Sequence, residues 1–212
     1  MEKEKTTIQK LSDFANKTHR TIELTEQAYP SNALHPVTYH RRLVYIPESG
    51  LGNTYFACFG DSRRLDKQAI YSGVFFSVPL PKSLKICIRR KDILDKMSLF
   101  SKKKGYKTGN VDFDSQVVFE EFDGIGTSKI FKSSKVQKLI LKAFAFDLRL
   151  RIGVNMMNMD YVPGLKGESH FGIYTMQDWF IDSSKIEILY DLAEQLKKLT
   201  IRVEEEDLVA QY

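Results

Sequence analysis

The chain predicts an α+β fold, a largely antiparallel sheet with two or three packed helices. Three observations carry this. Strand-like stretches outnumber helical ones and run in adjacent groups instead of alternating with helices. Helical spacing of apolar residues is confined to residues 6–27, 134–146 and 184–201, apart from a short amphipathic piece at 92–100. A length of 212 residues, 42% hydrophobic and 28% charged, is enough to bury a sizeable core.

Taken in order, Ile8, Leu11, Phe14 and Ala15 share one helical face, which Ile22 continues, and Pro30 ends that element. Alternation from Val37 to Ile46, the turn "PESGLGN" and the return "TYFACFG" (54–60) predict a hairpin. "AIYSGVFFSV" (69–78) predicts a third strand, Leu84, Ile86 and Ile88 a fourth, and "VVFEEFD" (117–123) a fifth. A helix is expected over 134–146, then a strand over 148–156 with Leu148, Leu150 and Ile152 inward and Arg149 and Arg151 outward. "MMNMD" (156–160) reads as a loop that plugs into the core, "SHFGIYT" (169–175) as a strand and 184–201 as the last helix. Ser134 with Gln137, and Ser184 with Glu187, have the spacing of capping boxes. Trp179 is expected to anchor the final helix to the sheet, with Asp182 near its N-terminus. Residues 1–30 are read as an N-terminal helical segment, 31–203 as one domain and 204–212 as a frayed acidic tail.

The apolar stretches at 73–78 and 139–146 fall short of the roughly 20 residues that span a bilayer, and the charged N-terminus lacks the apolar stretch of a signal peptide. Cys58 and Cys87 read as buried free thiols, which suits a reducing cytoplasm. Charge is uneven: residues 61–110 hold 13 Lys/Arg against 4 Asp/Glu, while 161–212 hold 5 against 10. A segment this basic can attract phosphates or acidic lipids.

Motifs of chemistry are scarce. "SKKKGYKTGN" (101–110) puts Tyr106 between Gly105 and Lys107 and is followed by no long helix pattern, so it does not build a phosphate loop, and "GIGTSK" lacks a second half. The four histidines have no metal-ligand spacing, and the sequence implies no metal and no cofactor. His40 beside Arg41 and Arg42 reads as a half-exposed strand histidine. The carboxylates of 112–123 alternate with apolar residues where a calcium loop needs oxygen. Basic residues with nearby aromatics are what single-strand binding uses, but the aromatics of 39–76 lie in strands whose core accounts for them.

"YSGVFFSVPLPKSLKICIR", "VDFDSQVVFEEFDG" and "KVQKLILKAF…LRLRI", in this order across residues 70–200, resemble the bacterial family filed as domain of unknown function 3137. Gly73 with Phe75, and Phe119 near Phe122, stand at comparable places. The resemblance implies a cytosolic α+β domain, at a membrane surface in members that carry membrane helices ahead of it, and no catalytic residues. No such helices are evident in this sequence.

The expectation is therefore a soluble cytoplasmic interaction or accessory module without catalysis, acting on another protein. A second reading is an anionic-surface binder, for acidic lipid headgroups or nucleic acid, through residues 82–107. Its contacts would be Arg89, Arg90, Lys91, Lys102, Lys103, Lys104 and Lys107. A third is an enzyme whose site assembles only in space. Oligomeric state is left open.

Overall fold

The computed structural model describes residues 5–31, 33, 37–48, 53–93, 95 and 105–209, with side chains to residue 200. Its centre is an eight-stranded sheet: β1 (Glu23–Tyr29), β2 (Tyr39–Pro47), β3 (Thr54–Asp61), β4 (Ile70–Ser77), β5 (Ile86–Arg90), β6 (Val117–Glu121), β7 (Arg151–Val154) and β8 (His170–Thr175). The order is β1-β2-β3-β4-β8-β7-β5-β6, and every neighbouring pair is antiparallel. Among the described residues five α-helices accompany it: α1 (Thr7–Lys17), α2 (Val111–Gln116), α3 (Gly124–Phe131), α4 (Ser134–Phe146) and α5 (Ser183–Val209). The predicted fold class is the observed one, an α+β fold on an antiparallel sheet.

Helix residues such as Leu11, Phe14, Phe131, Ile140, Leu189 and Leu196 cover one face of the sheet, against Val44, Phe56, Val74, Phe76, Ile88, Ile152 and Phe171. Among the described residues the other face carries no α-helix, only the short 3-10 turn Pro163–Leu165. There the connection from β7 to β8 folds back, and Met157, Met159, Val162 and Leu165 bury Phe59, Tyr71, Phe75 and Tyr174. The methionine loop does plug a core, that of the second face. β4 is buried on both faces, so it reads as a continuous apolar run and not as an alternation.

Several elements differ from expectation. The first helix stops at Lys17: Thr18 donates its hydroxyl to the Phe14 carbonyl at 2.8 Å, and His19 takes a left-handed φ of 56°. Residues 23–29 then pair with β2 as an edge strand. Its side chains are almost all exposed, so no apolar alternation announces it. Helix α2 is capped by Asn110, which accepts from the amides of Asp112 and Phe113, and α3 is capped by Asp123, which accepts from Gly126. Neither helix is among the elements that the apolar spacing predicts. The strand expected at 148–156 shortens to Arg151–Val154 because Asp147 accepts from the Arg149 amide and turns the chain; Leu148 is then 65% exposed, not inward. The strand expected to Asp123 ends at Glu121. The amphipathic piece at 92–100 falls largely outside the described residues.

Neither expected capping box forms. Gln137 is buried and donates to the Phe131 carbonyl at 2.8 Å, and Ser133 is the N-cap of α4 without a side-chain cap bond. At α5 it is Asp182 that accepts from the amide and hydroxyl of Ser184, while Glu187 pairs with Arg20, whose guanidinium lies 4.7 Å from the Tyr190 ring centroid. The box that does form is Thr6 with Gln9, at the start of α1.

Cys58 and Cys87 are buried free thiols, and burial pushes both above the usual thiol range. His170 lies against Phe75 on the second face, where burial holds its imidazole down to about 4. The unfolded chain accepts that proton below about 6.5, while the folded chain refuses it until about 4. Stability should therefore fall as pH drops through this window, by on the order of 3 kcal/mol. Urea midpoints between about pH 7 and pH 4.5 measure this, and His170→Phe should flatten the dependence.

Candidate functional site

The antiparallel order brings sequence-distant segments to one end of the sheet. The ends of β1, β3, β5 and β8 meet the starts of β2, β4, β6 and β7 there. Arg41, Arg42, Arg63, Arg64, Lys67, Arg89, Arg90, Lys91, Arg149 and Arg151 all fall at or beside this end. Each hollow described below opens here.

One is a groove of about 750 Å³ between the start of α1, the start of β2 and the end of β3. Ile8, Ile70, Trp179 and Ile181 give it apolar walls, and His40, Arg42, Asp61, Ser62, Arg64 and Asp178 a polar rim. Trp179 donates its indole N–H to the Phe59 carbonyl at 2.9 Å, so the expected anchor between sheet and final helix is present. The ring lies over Gly60 of β3, in ordinary contact at 3.4 Å with the place a Cβ would take. The loop is pinned a second time by Ser72, which donates to the Asp178 carbonyl and accepts from the Phe180 amide, both at 2.9 Å.

The charges of the rim are largely matched. Glu26 sits 3.0 Å from His40 Nδ1 and accepts from Arg42 Nε at 2.8 Å. Buried Asp61 accepts from the Arg63 guanidinium and amide, which hold its carboxyl below the usual range. Arg64 pairs with Asp66. Ser62 exchanges hydrogen bonds with the His40 backbone and none with its ring, so the two do not make a nucleophile–base contact. Among the described residues no group of three or more His, Cys, Asp or Glu could hold a metal ion.

A second hollow, of about 540 Å³, is lined by Lys67, Arg89, Arg90, Arg149 and Arg151 together with Asp92 and Glu120. Arg89 and Arg90, anticipated as anion contacts, are here. Lys91 and Lys107 are not: both ammonium groups donate to the Asp114 carbonyl, at 2.7 and 3.3 Å. Lys102, Lys103 and Lys104 lie outside the described residues. Lys67, Arg149 and Arg151 escaped the sequence reading. Alternation marks Arg149 and Arg151 as outward, but only the register that sets Arg151 opposite Arg89 shows where outward leads.

Comparisons with family models, with curated proteins and with solved structures return no match. No helix among the described residues is long and apolar enough to cross a membrane.

Proposed function

We propose that the chain is a non-catalytic binding module of the reducing cytoplasm, and that it holds an apolar patch of a protein partner in the groove floored by Trp179. One observation carries this reading: an open groove joins an aromatic and three isoleucines to a rim of arginines and matched carboxylates. Apolar centres inside polar rims, with Trp and Arg as anchors, are how protein interfaces are built. Ile70 stays 36% exposed on the wall, so the chain itself leaves this surface partly uncovered. The two buried free thiols support the compartment.

Trp179 is the single tryptophan, so its emission reports on the groove. Anilinonaphthalene sulfonate, an aromatic probe, should bind saturably and take up energy from Trp179. Ile70→Asp should weaken that binding about tenfold without changing the far-UV dichroism. Saturation that ignores Ile70→Asp, or an absence of saturation, would sink the proposal.

A further inference from the structure

Arg89 and Arg151 face each other across β5 and β7, on the sheet face away from the helices. Glu120 of β6 bridges them, accepting from Arg89 Nε at 2.8 Å and pairing with Arg151. Arg149 enters from the turn before β7 and Lys67 from the β3–β4 connection. The hollow is thus faced by five cations and two carboxylates.

The remaining acids nearby hold the guanidiniums from outside the hollow. Asp147 accepts from Arg149 Nε and Nη2 at 3.0 and 2.7 Å, and Asp178 accepts from its Nη1 at 2.8 Å. Asp95 grips Arg89. Side chains fixed in this way lose little freedom when an anion arrives. Two cations have no carboxylate partner among the described residues: Arg90, which donates to the Phe144 carbonyl at 3.4 Å, and exposed Lys67. Glu120 is set between two guanidiniums, the place a bound anion would take.

We infer that this hollow is a binding site for a small diphosphate-class anion, and that Glu120 is an internal competitor whose charge the ligand must overcome. The inference is independent of the groove reading. Lipid headgroups carry the same phosphate chemistry, so the test separates them from a free anion.

Calorimetric titration of the full chain with inorganic pyrophosphate should give one saturable site that weakens as salt rises from about 50 to 200 mM. Glu120→Gln keeps the shape and one acceptor oxygen while removing the charge, and should tighten binding about tenfold. Lys67→Glu, in an exposed loop, and Arg90→Gln should each weaken it about tenfold. Ile70→Asp should leave it unchanged, so that failure here and failure of the groove reading are told apart. The inference is overturned by absent binding, by a Glu120→Gln variant that binds no better than the wild type, or by indifference to Lys67→Glu. Sedimentation with phosphatidic acid vesicles in a protein that ignores pyrophosphate would also overturn it.

Discussion

Gly73→Ala is expected to abolish the folded state. Gly73 sits opposite Tyr174 where β4 pairs with β8. A Cβ on it would fall on the Ile173 carbonyl oxygen and within 2.5 Å of the Tyr174 Cα and Cβ. These are main-chain and stem atoms, so no rotamer change relieves the collision; the two strands would have to part. Two positions along, Phe75 faces Gly172 and lays its ring over it, stacking on Tyr174 with centroids 5.7 Å apart. Each glycine makes room for an aromatic residue of the facing strand. Parting β4 from β8 uncovers this stack and the core behind it. The expected loss exceeds about 4 kcal/mol, visible as missing near-UV dichroism and insoluble expression. Gly124→Ala is the control: no atom lies within 4 Å of its added methyl, and its stability should change by less than about 1 kcal/mol.

Phe171→Ala should cost about 4 kcal/mol. Phe171 is fully buried on the helical face of β8, stacked on Phe76 at 5.2 Å and on Phe131 at 6.5 Å. It therefore joins two strands to α3, and removing the ring leaves a void that neither the sheet nor a short helix can close cheaply. Urea unfolding should show a lower midpoint with an unchanged slope, and Phe171→Leu should lose about half as much. A loss under about 1 kcal/mol would show that α3 repacks freely and that the ring joins nothing.

Much of this architecture can be read along the chain where local periodicity and burial coincide. Helix α4 begins and ends at the residues its apolar stripe predicts, and the β2–β3 hairpin follows from alternation and turn chemistry. Legibility fails where local preference is silent. β1 is exposed on both faces and buries no apolar row, so its pairing with β2 is what makes it a strand. α3 opens with Gly124 and Gly126, poor helix residues; a Cβ at Gly126 would strike Leu84, so close packing accounts for that glycine. The sites follow the same rule. Arg89 and Arg90 stand out as a basic pair, but their companions arrive from residues 67 and 149–151 through strand register. Trp179 suggests an anchor on its own; that it also floors a groove depends on α1, more than 160 positions earlier, closing the other side.

The sheet order carries a consequence for how the chain is made. β1 to β4 pair with their sequence neighbours and can zip in sequence as they emerge. The far side of β4 must wait for residues 170–175, so a ribosome completes the first half of the sheet long before its partner strand exists. During that interval the apolar edge of residues 70–77 is open to any neighbouring chain. Closing the β4–β8 seam is the longest-range step in assembling the sheet and the one that ends this exposure.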